Sequence, residues 1–448
     1  MRDQLRNEGS TTCFWISYFK GVEHAVTVRS SATNAWNVNF NNGNVNNNNT
    51  YNRYFVCLAQ ESLLNEDEWF DAERSFFKNK HGSIGAQQIH IHPAKVIYIA
   101  RKVKSGEYKP QPGYCFPLLN PSPREIYAAF CPDRLVHHYV APFIIKVAEY
   151  IHRKNGNISH GNRIGYSAQT GAEQIRDAIK QAIELYEDPY IVKIDVKSFF
   201  TSISRQKAFD VFKRFVYEFY TGDDLKEKLE LCKKLILNDP TKGCIILSTP
   251  KKWAKIPDRK RQMFSKNGCG LPIGNFYSQL IANIFLAVLD IILKEYGICP
   301  RFVDDKCCIV KDKETAVKII HIARAVLNIL DLELHPDKIY IQPCHRGVNF
   351  CGRTIKGNRI YLSNHTINNA HKNIQNIDNI CEVVNSYLGI MKHCTEYKNE
   401  KRLSDLVKSK YKKVYFVIKK GHYICRMHKM YIPRIKQKIF LKNIIQKI

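Results

Sequence analysis

Apolar residues recur at helical spacing in several long segments of this chain. The pattern predicts amphipathic helices over residues 61–80, 134–153 and 171–185, because apolar positions three and four apart share one face of a helix. The longest apolar run, residues 280–293, carries Asp290 and is shorter than the roughly 18 residues that a membrane span needs. It is therefore expected to be a core helix.

Two shorter apolar runs are typical of strands, and each carries acidic residues. Residues 190–194 are rich in β-forming side chains and are followed directly by Asp195. Residues 301–310 contain the adjacent pair Asp304-Asp305, which a strand–turn–strand hairpin would place at its tip. Ionised carboxylates between apolar flanks need water, a partner or a metal. For the Asp pair alone, a solvated turn is the plain alternative.

The combination of these segments is more specific than either one. A strand-end Asp and a hairpin Asp pair can hold two divalent ions about 3.5–4 Å apart, the spacing used for in-line phosphoryl displacement. Between them lies the glycine-rich segment 270–279, which opens the apolar helix. Glycine allows a ligand close to the backbone, and a helix N-terminus favours phosphate.

These three segments, in this order, resemble the palm of a reverse transcriptase. Asp195 matches the first catalytic motif, residues 270–279 match the second, and Phe302-Val303-Asp304-Asp305 matches the aromatic-x-Asp-Asp box. Further motifs of the family follow the expected order: residues 108–110, 122–126 and 132–138 in the fingers, 335–338 and 348–352 in the palm, and 386–389 with 392–393 in the thumb. The resemblance covers roughly residues 61–448.

The resemblance implies an α+β fold of the right-hand polymerase type. Residues 61–362 would form the fingers and the palm, with an antiparallel sheet plus helices, and residues 363–448 a basic helical thumb and tail. Within the thumb, residues 408–420 are expected to form a helix on the duplex, and residues 435–448 a basic amphipathic tail. Residues 238–270 are expected to be an irregular basic excursion that contacts template or primer, or else a solvated loop.

The resemblance also implies catalytic roles. Asp195, Asp304 and Asp305 would hold two Mg²⁺ ions, with Mn²⁺ as an alternative ion, and the backbone carbonyl of Val196 would reach one of them. Lys338 would act as general acid to the pyrophosphate, or would simply be a surface lysine.

Other residues are expected to contact the substrates. Phe200 matches the aromatic steric gate against a ribose 2′-hydroxyl, although Phe199 or Phe200 could equally be core. The nucleotide-binding candidates are Arg124, Arg134, Val196, Phe200, Ile273, Gly274 and Gln279. The primer and template candidates are Arg163, Phe350 and Gly352.

The second motif indicates a subgroup of the family. Most reverse transcriptases have Gln-Gly-x-x-x-Ser-Pro, whereas residues 273–279 begin with Ile273 and end with Gln279. This departure resembles the enzymes of diversity-generating retroelements, which miscopy template adenines. Group II intron and retron enzymes are the alternatives, followed by a catalytically dead RNA-binding protein.

The first sixty residues bear on the same choice. Residues 34–52 contain eleven Asn, and residues 35–45 resemble the end of a C-type-lectin-like variable protein. Because asparagine codons begin with two adenines, residues 1–60 are interpreted as a template repeat translated in frame or a fragment of a variable protein. A disordered Asn-rich tract is the alternative.

The charge of the chain indicates a polyanionic partner. The 448 residues carry a formal net charge of +28, and lysines and arginines neutralise phosphates. The expected partners are an RNA template, a DNA or RNA primer and dNTP, and family resemblance adds a small basic multimeric accessory protein. The fifteen Cys show no Cys-x-x-Cys spacing, which favours reduced thiols in the cytoplasm, and no membrane association is expected.

Overall fold

The computed structural model describes residues 66–78, 89–90, 93–119, 122–374 and 380–427. The chain divides into residues 1–60 and 61–448, and all described residues belong to the second unit. The interpretation of residues 1–60 as a template repeat and the amphipathic tail over residues 435–448 lie outside the described residues. The predicted domain boundaries stay predictions.

The described residues alternate long helices with short strands, which confirms the α+β fold class. The elements before residue 240 are α1 Glu66–Phe77, α2 Pro93–Lys104, β1 Tyr114–Leu118, β2 Arg124–Ala128, α3 Cys131–Lys154, α4 Ala168–Leu185, β3 Tyr190–Ile194, α5 Phe199–Ser202, α6 Arg205–Phe219 and α7 Leu225–Leu237. The central elements are β4 Ile245–Ile246, α8 Pro250–Trp253, α9 Phe276–Leu293, β5 Arg301–Phe302, β6 Asp305–Val310, α10 Lys313–Ile329, β7 Tyr340–Pro343, β8 Val348–Phe350, β9 Arg353–Lys356 and β10 Arg359–Leu362. The last elements are α11 Asn364–Asn373, α12 Ile380–Met391, α13 Tyr397–Lys410, β11 Val414–Lys419 and β12 His422–Met427.

Two sheets build the predicted palm. In the first, the strand order is β5-β6-β3-β7 and every pair is antiparallel. The second is the antiparallel meander β8-β9-β10. Helix α4 packs against both sheets, and Ile175 and Ile179 on its buried face join Ile191 and Phe350 in one apolar core. The antiparallel palm sheet expected from the resemblance is therefore present.

Helix boundaries follow from local capping chemistry. The amphipathic pattern predicts a helix from residue 171, but α4 begins at Ala168 because Ser167 and Thr170 form a capping box. Thr170 N donates to Ser167 Oγ at 3.3 Å, and Ser167 N donates to Thr170 Oγ1 at 2.9 Å. The three extra residues extend the helix to the edge of the loop that precedes it.

Helix α9 is the buried core helix that the apolar run predicts. It begins at Phe276, four residues earlier than expected, so it is long and apolar enough to cross a membrane by length and composition alone. However, 83% of it is buried inside the protein, where it packs against α3, α6 and α10. The prediction that this apolar segment is too short to span a membrane was wrong, because the helix has 18 residues. Its burial confirms the prediction that it is a core helix.

The C-terminal part corrects one prediction. Residues 408–420 do not form a single helix, because α13 ends at Lys410 and an antiparallel hairpin, β11–β12, follows. Residues 414–418 are five consecutive β-branched or aromatic residues, which favours a strand, and Lys420 and Gly421 both take positive φ at the turn. Helices α11, α12 and α13 and this hairpin share a separate apolar core.

Residues 238–270 are irregular, as predicted, but they are not a free loop. They contain only the short elements β4 and α8 and two 3₁₀ turns. Strand β4 pairs in parallel with β1, and Trp253 and Ile256 are buried against Cys115 and Tyr127. The excursion is therefore part of the sheet β2-β1-β4 in the predicted fingers. All cysteines of the described ranges are free thiols.

Candidate active site

Antiparallel pairing of β3 with β6 brings the predicted acids together. Ile194 lies opposite Lys306, so Asp195, which follows β3, meets the tip of the β5–β6 hairpin that carries Asp304 and Asp305. Burial, with the nearby charge of Asp195, raises the pKa of Asp304 to about 6. Burial also raises the pKa of Asp305, although Lys193 opposes the shift. The site thus concentrates negative charge in a place that water reaches poorly.

The hairpin tip has an unusual backbone conformation. Val303 takes φ +60°, the left-handed region that β-branched residues rarely adopt. Its carbonyl accepts a hydrogen bond from Arg301 Nη1 at 2.7 Å. A Cβ on Gly161 would lie 2.8 Å from Val303 Cγ2, so only glycine lets the loop after α3 approach the tip this closely. Loop and tip therefore hold each other in place.

A buried ionic network anchors the hairpin to α9. Asp290 accepts hydrogen bonds from Arg301, the shortest at 2.6 Å, and from Lys306 Nζ at 2.7 Å, and all three side chains are almost fully buried. Burial acts to raise the pKa of Asp290, but the two cations outweigh it and hold the pKa below its usual range. Asn283, seven residues before Asp290 and on the same face of α9, accepts from Arg301 Nη1 at 2.8 Å.

The network also reaches the loop after α3. Asn283 Nδ2 lies 3.1 Å from His152 Nε2 and donates to the carbonyl of Gly161 at 2.9 Å. Burial, helped by Arg301 and Arg163, lowers the pKa of His152 to about 3, so this imidazole is neutral at physiological pH. Helix α9 therefore fixes both the hairpin and the loop that supports its tip.

Two of the three carboxylates form ion pairs with lysines. Lys338, at the end of the 3₁₀ turn Pro336–Lys338, donates from Nζ to Asp195 Oδ2 while most of its side chain stays exposed. Lys193 Nζ lies 2.9 Å from Asp305 Oδ1. Lys338 therefore pairs with Asp195 from an exposed position, and its predicted role as general acid stays a prediction.

The acids fit a divalent cation by their chemistry. No group of three His, Cys, Asp or Glu side chains within the described ranges is already drawn together as a metal site. Burial and both neighbouring carboxylates nevertheless raise the pKa of Asp304. A divalent cation with oxygen ligands would neutralise this crowded negative charge. Val196, also predicted to contact metal and nucleotide, is buried next to Asp195. Its backbone pairs with that of Leu334 in an isolated antiparallel bridge.

The second motif lies between the first motif and the fingers. Gly270 N and Leu271 N donate to the carbonyls of Ile203 and Phe200, each at 2.8 Å. The carbonyl of Ile273 accepts from Tyr127 N on β2, also at 2.8 Å.

Gly274 and Gln279 complete this motif. Gly274 takes φ +122°, and a Cβ there would lie 2.8 Å from the carbonyl oxygen of Tyr127. The glycine is therefore needed for the close approach of α9 to β2. Ile273 and Gln279 are both half-buried.

The two adjacent phenylalanines have different environments. Phe199 is buried, whereas Phe200 is only half-buried, and their rings meet edge to face with centroids 5.4 Å apart. Phe199 is thus the core residue of the pair, and Phe200 is the partly exposed one.

The two fingers arginines are only lightly held. Arg124 contacts Ser122 at 3.4 and 3.5 Å, and Arg134 Nε donates to the carbonyl of Ala129 at 2.9 Å. Both side chains are half-buried and keep donors that a phosphate could use. Their predicted contacts with the nucleotide stay predictions.

Two of the predicted primer and template residues are placed differently from expectation. The guanidinium of Arg163 is buried and bound to Glu149, Asn157 and the carbonyl of Ser159. The ring of Phe350 is fully buried in the palm core. Both side chains are therefore engaged inside the protein, and the predicted roles of these two residues at the primer and template stay predictions.

Gly352 lies in the turn between β8 and β9. It takes φ +77°, and its carbonyl accepts from Ser363 N and Thr366 Oγ1. A Cβ at this position would lie 2.9 Å from Thr366 Oγ1, so the turn packs closely on the start of α11. Its predicted contact with the primer stays a prediction.

Sequence reasoning missed Lys193. It lies two residues before Asp195, on the same face of β3, because alternate residues of a strand share a face. A lysine inside an apolar strand, in phase with a candidate catalytic Asp, was the available signal.

Comparison with known proteins gives one family. Residues 142–355 match the family model described as reverse transcriptase (RNA-dependent DNA polymerase). No match was found among curated protein sequences. Among solved structures, the chain is similar to apo telomerase from Candida tropicalis, with a TM-score of 0.45 and 11% identity over 67% of this chain and 59% of that chain. Telomerase from Candida albicans, in complex with a TWJ fragment of telomeric RNA, has a TM-score of 0.43 and 12% identity over 71% and 59%. The chain thus spans about three fifths of the length of these telomerases.

Proposed function

We propose that the chain is an RNA-directed DNA polymerase that copies an RNA template into cDNA by two-metal nucleotidyl transfer, and the match of residues 142–355 to the reverse transcriptase family model supports this proposal. The observation that carries the proposal is the meeting of Asp195 with Asp304 at the hairpin tip, where burial and mutual repulsion leave unrelieved negative charge. The substrates would be an RNA template, a DNA or RNA primer and dNTP.

The residues of the site have distinct tasks in this reaction. Asp195 and Asp304, with the carbonyl of Val196, would hold Mg²⁺. When bound, the two ions supply activation of the primer 3′-hydroxyl and neutralisation of the leaving pyrophosphate. Lys338, whose Nζ contacts Asp195 from an exposed position, would give a proton to that pyrophosphate. Arg124 and Arg134 would bind the triphosphate, so positioning and charge carry the rate.

We assign the enzyme to the type that serves diversity-generating retroelements, with errors concentrated at template adenines. The support is the aliphatic Ile273 in the second motif, at a backbone bound to the fingers strand β2. Its side chain offers no hydrogen bond to an incoming nucleotide, so the shape of the base pair would be checked less strictly.

Primer extension on a defined RNA template, with dNTPs and Mg²⁺, tests both levels of the proposal. The control is the double variant D304A/D305A. Errors concentrated at template adenines support the retroelement type, whereas accurate cDNA favours an intron-type or retron-type enzyme. Absence of product with the purified chain, and also with a candidate accessory protein, would contradict polymerase activity.

Phe200→Ala is expected to admit ribonucleotides. Phe200 is partly exposed and follows Asp195 by five residues, and removing its ring would open space for a 2′-hydroxyl. Loss of a steric contact of this kind changes discrimination by about 10–200-fold. The measurement is the ratio of kcat/KM for dNTP and rNTP in single-nucleotide extension. Phe199→Leu, a change in the buried partner, should leave the ratio near that of wild type, and an unchanged ratio in Phe200→Ala would refute the assignment.

Ile273→Gln is expected to lower misincorporation opposite template adenine. A glutamine at this half-buried position can hydrogen-bond the incoming nucleotide, and an unpaired buried polar group makes a mismatch more costly. Sequencing of cDNA from an adenine-rich template measures the effect, and Ile273→Leu serves as the volume-matched apolar control. Equal error rates at adenine in the Gln and Leu variants would remove Ile273 as the cause.

A further inference from the structure

We propose that Lys193 is a positioning residue, which holds Asp305 and the turn after β8 in one fixed arrangement and leaves Asp195 and Asp304 as the cation-binding pair. The inference rests on the proposed function, because it concerns how the same site is assembled. It assigns a task to a residue that the catalytic roles above do not include.

The contacts of the Lys193 ammonium carry the proposal. Nζ lies 2.9 Å from Asp305 Oδ1 and 3.1 Å from Oδ2, and it also donates to the backbone carbonyl of Asn349. It lies 5.6 Å from the centre of the Phe350 ring. A lysine has three donors and no acceptor, so this ammonium bridges the catalytic hairpin and β8 at the same time.

The strand register explains why Lys193 can reach both partners. Lys193 lies opposite Cys307 across the β3–β6 pair, and Asp305 is the diagonal neighbour on the same face. The sheet thus points the ammonium along β6 towards the hairpin tip rather than into solvent. An arrangement set by sheet register is rigid, because a change would require the strands to slip.

Burial distinguishes this ion pair from Lys197–Glu333, an exposed lysine–carboxylate pair near the site. The side chains of Lys193 and Asp305 are 15% and 25% exposed. Those of Lys197 and Glu333, joined at 2.9 Å beside the same strand, are 53% and 69% exposed. Removing one partner of a shielded pair leaves an unpaired charge, whereas an exposed pair contributes little. Lys197 is therefore the matched control.

Two consequences follow for the site. The carboxylate of Asp305 contacts Lys193 and the Cys351 thiol, whose Sγ lies 3.9 Å from Oδ2, and these contacts would compete with a shared cation. The turn that contains Cys351 and Gly352, predicted to hold the primer end, is tied to the hairpin through Asn349 and the same ammonium. Lys193 would therefore set the distance between the primer terminus and the carboxylates.

The test compares Lys193→Met with Lys197→Met in two measurements. In primer extension, Lys193→Met should lower kcat by about 10–100-fold with little change in the KM for dNTP, since a misplacement near 1 Å has effects of this size. In Mn²⁺ binding to the protein alone, followed by EPR, the same variant should bind about tenfold more tightly, because a nearby positive charge is lost and Asp305 is released. Lys197→Met should change neither.

Further variants keep the outcome interpretable. Lys193→Gln, which retains a donor for the Asn349 carbonyl, is used if the Met variant does not fold. The double variant Lys193→Met/Asp305→Asn should be no slower than Asp305→Asn alone if Lys193 acts through Asp305. An unchanged kcat, or weaker Mn²⁺ binding in a folded variant, would overturn the proposal. Because the Mn²⁺ measurement needs no polymerisation, it tests Lys193 even if the wild-type chain makes no cDNA and the proposed function itself fails.

Discussion

Replacing Asp304 with asparagine is expected to lower the rate of cDNA synthesis by about 10³-fold, because a bound metal is worth several kcal/mol and each 1.36 kcal/mol corresponds to a factor of ten. Asp304 is the carboxylate at the hairpin tip that feels the charge of Asp195 most directly. Single-turnover extension with Mg²⁺ measures the loss. Asp337→Asn, which removes a charge from the exposed turn beside Lys338, should stay close to wild type.

When no divalent ion is present, Asp304→Asn is also expected to stabilise the folded protein. The Asp304 carboxyl has a pKa of about 6 when folded, against an ordinary value of 3.8, so it binds its proton more tightly in the folded state. Its contribution is therefore fully present below about pH 4 and is lost as the pH rises through about 6. Asparagine avoids that loss, and Asp304→Asn should be about 1–3 kcal/mol more stable than wild type at about pH 8, with the gain smallest near pH 4.

Urea unfolding in EDTA at the two pH values measures this gain. An equal difference between variant and wild type at both values would show that Asp304 does not titrate in a crowded carboxylate site. Loss of activity together with a pH-dependent gain in stability would mark a residue kept for chemistry at the expense of the fold.

Asp290→Asn is expected to destabilise the protein by about 3–5 kcal/mol, because it leaves the buried charges of Arg301 and Lys306 without their partner. Since the pKa of Asp290 is held below its usual range, its contribution is present above the ordinary pKa and is lost only in stronger acid. The loss should therefore be constant between about pH 5 and 8.

The midpoint of urea unfolding measures this effect. Glu184→Gln, at an exposed helix position 3.9 Å from Lys180, should change stability by less than about 0.5 kcal/mol. The double variant Asp290→Asn/Lys306→Met removes one of the stranded charges and should recover part of the loss. An Asp290→Asn protein as stable as wild type would mean that the network does not anchor the hairpin.

Short-range patterns predicted the strand and the hairpin that carry the three acids. The apolar run of residues 190–194 ending at Asp195, and the acidic pair interrupting residues 301–310, specify a strand and a hairpin from local sequence alone. The glycine-rich segment predicted a close backbone approach, and Gly274 makes one against β2. These features depend on residues adjacent in the chain, so periodicity and turn chemistry contain the information.

Features that join distant segments were not predictable in the same way. Arg163 was expected on nucleic acid because it is basic and lies in a loop, but its partner Glu149 lies on the preceding helix and removes it from the surface. Phe350 belongs to a motif whose backbone has the expected turn, while its ring fills the palm core. In both cases the direction in which the side chain points depends on tertiary packing, which local sequence does not specify.

The hairpin after α13 was missed for a different reason. Lysines in residues 408–420 suggested a helix on a duplex, although residues 414–418 are a continuous run of β-branched and aromatic residues, which is typical of a strand. The turn at Lys420-Gly421 supplied a second local signal. Here the sequence contained the answer, and expectation from the family outweighed the pattern.

The left-handed Val303 has a consequence for how the site responds to distant change. Glycine would adopt this backbone without cost, whereas valine carries a strain of about 1–2 kcal/mol. Its methyl group, however, lies against Gly161, so the gap between Asp195 and Asp304 is set from outside the hairpin by the loop beneath it. A single added methyl at residue 161 would push on the tip without touching any carboxylate. Sensitivity of the site to small substitutions therefore extends to a loop that contributes no carboxylate.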